Sequence, residues 1–294
     1  MNVRQTTLAS LAAMLLISGG TFALVACGSD DNNSSNNNGN GNNNGNGNGN
    51  TADSVGSVTI TGMHTKSTYG DTNMTIISAA FYSEPQAGGS TGSLPLGCKT
   101  IDLANVDAGT GTDAGPSPTP VSAGDITVTV SDNDPATLTW DNANNLYVVS
   151  PFPIMENWIT GGDDVSVDAK GDVIPAFSAN FKAPHNPTFT SDLTAMEQGS
   201  DYELTWDNGA DSAGAEQIEV TLLNTAGGAM KSVICVFDSS AGTGTIPKAQ
   251  LTDLGAGDSV SFSAMSTTAT RASAGNNKVD VSAMAMYSDT AKIQ

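Results

Sequence analysis

The chain has 294 residues, with 10 Lys and Arg against 30 Asp and Glu and a formal charge of -20. Its basic residues are scattered singly, so a phosphate backbone finds no Lys/Arg cluster to neutralise it, and nucleic acid is excluded as a partner. Only 14% of residues are charged; Ser, Thr, Asn and Gly fill the polar positions, which favours strands and loops over helices.

In chain order, the first element is an export signal over residues 1–26. Arg4 supplies a short positive start, and an apolar stretch from Leu8 to Ala26 follows, broken by Gly19 and Gly20. Its place at the start of the chain and the small residue before Cys27 predict a cleaved signal peptide. The run Leu24-Val25-Ala26-Cys27 resembles the bacterial lipobox. That resemblance implies diacylglyceryl transfer to the Cys27 thiol, cleavage before it and acylation of the new amine. A plain secretory peptide with an incidental Cys is the alternative. The acidic body would be repelled by an anionic leaflet, so the lipid bilayer is a partner through the acyl anchor alone.

Residues 27–52 then read as the lipidated Cys and a tether. From 28 to 50 the sequence is Gly, Ser, Asp and Asn, with no apolar residue to build a core. Such a coil reaches roughly 25–30 Å, enough to lift a folded body off the membrane. Gly28 stands at the position after Cys27, which in the enterobacterial sorting pattern resembles an outer-membrane address.

The body is predicted to be all-β, an antiparallel β-sandwich architecture of two packed sandwich-like domains. Strands are expected at 57–61, 73–82 and 96–104. Others are expected at 125–130, 136–141, 145–150, 163–169 and 176–181. The second half adds 201–207, 217–224, 231–238, 258–265 and 278–287. Apolar residues recur at every second position, as in Ile218, Val220 and Leu222 or Val279, Val281, Ala283 and Ala285. The single helical piece is 246–255, with Pro247 near its start and Gly255 as its stop.

The Pro-rich stretch 106–124 reads as a disordered insertion or a boundary, since Pro116, Pro118 and Pro120 cannot donate to a ladder. The segment 181–193 is a second candidate boundary, dividing the body into 53–182 and 183–294. The stretch after Ala183 resembles an immunoglobulin-like or fibronectin-type module in layout: a Pro-marked entry, a Trp-bearing strand, a hairpin, then more strands. The pentapeptide LTWDN occurs at 138–142 and again at 204–208. It fits either a duplicated strand end, with Trp140 and Trp206 packed between sheets, or chance and shared strand chemistry.

Lipidation of Cys27 leaves Cys98 and Cys235, each inside a strand candidate. In an oxidising compartment a disulfide between them is the preferred reading, with two buried free thiols as the alternative. His64 and His185 are the only histidines and lack neighbours at ligand spacing. Neither a zinc-protease helix motif nor a nucleophile elbow occurs. The acidic loops suit calcium best, and the candidate ligands are Asp163, Asp164, Asp168 and Asp172 in 161–172, eased by Gly161, Gly162 and Gly171. Solvated turns rich in Asp and Asn are the competing explanation. No other cofactor is implied.

Three function classes follow. A surface-displayed, non-catalytic binding, adhesion or scaffold module with a glycan or protein partner at the cell envelope fits best. A periplasm-facing accessory of an envelope assembly fits all but the tether length. A carbohydrate-active hydrolase would need two carboxylates facing each other across a cleft.

Overall fold

The computed structural model describes residues 54–67, 70–86, 94–103, 118–150, 158–207, 217–226 and 230–294. Cys27, the lipobox and the tether lie outside the described residues.

Fifteen strands are formed among these residues. They are β1 (Ser54–Thr65), β2 (Thr72–Gln86), β3 (Gly97–Asp102), β4 (Ile126–Val130), β5 (Ala136–Asp141), β6 (Leu146–Ser150), β7 (Asp164–Ala169) and β8 (Phe177–Lys182). After these come β9 (Thr188–Phe189), β10 (Tyr202–Asp207), β11 (Gln217–Asn224), β12 (Lys231–Asp238) and β13 (Thr243–Ile246). One helix, α1 (Lys248–Leu254), precedes the long strands β14 (Gly257–Ala274) and β15 (Asn277–Ile293). The all-β reading is correct, and the helix falls inside the segment expected for it, entered after Pro247 and stopped at Gly255.

The principal sheet has seven strands in the order β2-β1-β15-β14-β11-β12-β3. Its pairs are antiparallel except for β1 and β15, which run parallel with Ile60 opposite Ala283. The sheets are thus predominantly antiparallel, as expected, with this one parallel strand pair inside the principal sheet. Strands this far apart in sequence have no short connection to force them antiparallel, and side-chain fit decides the direction instead.

The hairpin of β14 and β15 is the longest feature, with 18 and 17 residues, which makes each strand roughly 55 Å long. Gly275 turns it at φ 63°, in a two-residue loop closed by Ala274 opposite Asn277. Along β15, Val279, Val281, Ala283, Ala285, Tyr287, Ala291 and Ile293 are all buried on one face. That single face is covered twice, by different parts of the chain.

The first cover is a five-stranded antiparallel sheet, β6-β5-β4-β7-β8. Its Ile126, Val128, Leu138, Val165 and Val167 pack with Val58, Ile60, Phe81, Val279 and Val281 in one core. The second cover is the three-stranded sheet β13-β10-β9 with α1. Here Leu204, Trp206, Ile246 and Leu251 pack with Val220, Leu222, Phe262 and Ile293 in another. Two sandwich cores thus sit on one shared sheet. That sheet takes β1, β2 and β3 from before residue 183 and β11, β12, β14 and β15 from after it. Residues 183–187 carry the chain from one cover to the other.

Of the Pro-rich stretch 106–124, the described part is anchored to the body. Pro120 forms an isolated bridge with Tyr82, and Ala123 is fully buried. The bridge uses the flanking groups: Ser83 donates to the Thr119 carbonyl at 3.1 Å and Val121 donates to the Phe81 carbonyl at 3.0 Å. Pro120 has no N–H to contribute and none is required there.

Candidate functional site

The two covers leave a junction over the shared sheet, and polar side chains gather there. Gly62 on β1 marks its first edge: the Cβ it lacks would lie 3.6 Å from the Ile159 Cβ in the loop beneath the first cover. Two residues further along the same face comes His64. Register places His64 opposite Tyr287 on β15 and Asn73 on β2. The His64 and Tyr287 rings stack with centroids 5.7 Å apart and planes 8° from parallel. His64 Nδ1 is 2.8 Å from Asn73 Oδ1, so the ring nitrogen donates there. Its Nε2 lies 3.9 Å from Asp71 Oδ2.

Tyr287 forms the floor. Its hydroxyl donates to Asp289 Oδ2 at 2.8 Å, and its ring touches Phe189 and Phe262 of the second core. Burial pushes the phenol pKa well up, and the bond to Asp289 and the charges of Asp289 and Asp71 push it the same way. Tyr287 is therefore a neutral hydrogen-bond donor at any physiological pH. Two carboxylates beside a neutral phenol and an imidazole make an acceptor-rich corner, suited to hydroxyl or amine donors.

Apart from this corner, the linker between the covers carries two orphaned groups. His185 Nε2 and Asn186 Oδ1 are buried without a hydrogen-bond partner among the described residues. The His185 ring packs on Gly161 and Gly162, where any larger residue at 161 would collide with it. Buried polar atoms without partners are uncommon and call for a water or a ligand group. No sequence signal marked the His64–Tyr287 corner, because its members come from β1, the start of β2 and β15, and only the parallel register brings His64 against Tyr287.

The four candidate calcium ligands are placed separately. Asp163 Oδ2 accepts from the Thr160 amide and hydroxyl at 2.8 and 2.7 Å, and its Oδ1 accepts from the Ser131 hydroxyl at 2.9 Å. Asp164 pairs with Lys182 at 2.7 Å, and Asp168 accepts from the Ser166 hydroxyl at 3.0 Å. Asp172 is exposed, and its amide donates to the Ile174 carbonyl at 2.9 Å. Among the described residues no three His, Cys, Asp or Glu side chains converge as a metal site. Gly162 and Gly171 adopt φ of 83° and 87°, and the space beside Gly171 is taken by Ala176. Turn geometry and close packing account for these glycines.

Cys98 and Cys235 form a disulfide. They are direct partners across the antiparallel pair of β3 and β12, with Cα atoms 4.0 Å apart. This fastens β3, an edge strand from the first half, to a strand from the second. Aromatic side chains are mostly internal: Trp206 is buried, with Nε1 donating to the Ser239 carbonyl at 3.0 Å. Trp140 is only half-buried, and its Nε1 donates to Asn142 Oδ1 at 2.9 Å. The Asp141 carboxylate of the first LTWDN accepts from the Ala143 amide and turns the chain there; Asn208 of the second lies outside the described residues.

No helix among the described residues is long and apolar enough to cross a membrane, which leaves strand-borne insertion unaddressed. No family model matches the chain, and no curated protein matches it.

Proposed function

We propose that the chain is a lipid-anchored envelope protein, acylated on Cys27 and displayed at the cell surface from the outer membrane. Its body acts as a non-catalytic binding, adhesion or scaffold module. The observation that carries this reading is the run Leu24-Val25-Ala26-Cys27 followed by 28–50, a stretch without one apolar residue. The first supplies a thiol where an acyl chain can be attached. The second supplies reach, because a coil of this composition holds the body clear of the headgroups. Two or more acyl chains make the attachment durable where one alone binds reversibly.

The form of the body is in keeping with that role. One sheet running under both covers, with its edge strand fastened by Cys98–Cys235, makes a stiff carrier. The acceptor-rich corner at His64, Asp71, Tyr287 and Asp289 is a place for a hydroxyl-bearing partner such as a glycan, or for an amine-bearing protein side chain.

Protease treatment of intact cells tests display. Digestion of the body without lysis is the expected outcome. Protection that ends only when the outer membrane is permeabilised would overturn display and favour a periplasm-facing accessory.

A further inference from the structure

The face of the seven-stranded sheet turned away from both cores carries a pattern that the proposed role does not use. Five of the chain's ten methionines lie on it, on four adjacent strands. Register sets four of them in a single row across the sheet. Met74 of β2 faces Met63 of β1, Met63 faces Met286 of β15, and Met286 faces Met265 of β14. Met284, two residues before Met286 on the same face, is the fifth. The row continues to Glu219 of β11, which faces Met265.

This segregation is not what general apolar packing produces. Among the described residues the two cores are built mainly from Val, Ile, Leu, Ala and aromatic residues and contain one methionine, Met196. On β1, β14 and β15 the rest of this face is mostly Ser and Thr, while β2 adds Ile76 and the far strands β11 and β12 add Leu223, Ile234 and Val236. The next row on one side is Thr72, Thr65, Ser288 and Ser263, and on the other Thr61 and Thr267 flank Met284, with Ile76 beyond Thr61. The thioethers thus cluster on strands whose other outward residues are mostly Ser and Thr. Met63, Met74 and Met286 are 8, 8 and 9% exposed, while Met265 and Met284 at the margin are more accessible.

We propose that this row is a binding site for a soft monovalent metal ion, Cu(I) in chemical class. Thioether sulfur is a neutral, polarisable donor that selects Cu(I) over the hard cations held by carboxylate and water. Facing residues on neighbouring strands have Cβ atoms about 4.5–5.5 Å apart, and each methionine reaches the ion through three rotatable bonds. Two or three sulfurs from Met63, Met286 and their neighbours close on one point from that spacing. Glu219 sets one carboxyl at the end of the row, beside the neutral donors. The inference is independent of where the body is displayed.

The test uses the full chain, purified in detergent with its disulfide intact, and two probes. Cu(I) is offered from a chromophoric chelator under a mild reductant that leaves the disulfide oxidised. Redox-inert Ag(I) is titrated while the methionine methyl resonances are followed. The expected result is withdrawal of one Cu(I) per chain, with Ag(I) shifting the methyls of Met63, Met74, Met265, Met284 or Met286 and leaving that of Met196 in place.

Met63→Leu with Met286→Leu conserves volume. It should keep the melting temperature and lower Cu(I) affinity by at least about a hundredfold, since loss of an outer-shell partner alone costs 10–100-fold. Met196→Leu should leave affinity unchanged. Failure of the wild-type chain to take Cu(I) and to show those methyl shifts overturns the proposal. So does full affinity in the double variant. If the double variant instead loses a protein partner or self-association that wild type shows without metal, the row is a docking face and not a metal site.

Discussion

Removal of the Cys98–Cys235 disulfide should destabilise the body by several kcal/mol and should do so unevenly. The bond spans 137 positions, and a loop of that length corresponds to about 5 kcal/mol of chain entropy removed from the unfolded state. Native disulfides deliver about 2–5 kcal/mol when removed. For a folded body of this size each kcal/mol moves the melting temperature by about 2–4 °C, so the variant Cys98→Ala/Cys235→Ala should melt roughly 10 °C lower. The loss should concentrate in β3. Among the described residues it is an edge strand of six residues that pairs only with β12, so without the bond it opens before the rest. Thermal unfolding of the wild-type chain with and without reductant, alongside the double variant, gives the magnitude. Amide exchange gives the location, with protection of residues 97–102 falling far more than that of β4 to β8. A shift under about 2 °C, or uniform loss of protection, would refute the view that the bond holds this edge.

Three further outcomes follow from the same geometry. Burial pushes the Glu219 carboxyl above its usual 4.5, against the pull of Lys99. The folded state then resists an ionisation the unfolded chain accepts, so stability is full below the ordinary Glu pKa and declines as pH rises through the folded value. Glu219→Gln should raise the melting temperature at neutral pH and leave it unchanged near pH 4; equal effects at both pH values would contradict this. Trp206→Phe should cost about 1–3 kcal/mol by removing the buried indole hydrogen bond to the Ser239 carbonyl, while Trp140→Phe should cost under about 1 kcal/mol because its partner is an exposed turn. Equal losses in denaturant titrations would mean that the two LTWDN copies are structurally equivalent after all. Melting curves in chelator and in millimolar calcium should coincide, because Asp163, Asp164 and Asp168 already have separate partners; a calcium-dependent rise would restore these residues as ligands.

Much of the fold was legible in the residues. β5, β11 and β12 begin and end where alternation and turn residues put them, because each has strong β-formers bounded by Asp, Asn or Lys. The long hairpin was read short at 258–265 and 278–287 because Ala, Ser and Thr in 266–274 alternate weakly in hydrophobicity, yet Ala272 and Ala274 are buried. β13, with the sequence Thr-Gly-Thr-Ile, carries almost no apolar signal and is recruited by β10, with Tyr202 opposite Ile246. The parallel β1 and β15 pair is invisible to local pattern. With it went the His64–Tyr287 corner and the methionine row, whose members lie as far apart as Met63 and Met286. Conversely, 161–172 resembled a ligand loop because Asp and Gly serve tight turns as readily as they serve cations.

Lipid anchoring at Cys27 is the claim on which the proposed role turns, and the intact mass of the chain extracted from membranes tests it most directly. The expected result is a mature terminus at Cys27 carrying a diacylglyceryl group and an N-acyl chain, both lost in Cys27→Ala. A terminus at any other residue, with no acyl mass, would contradict it.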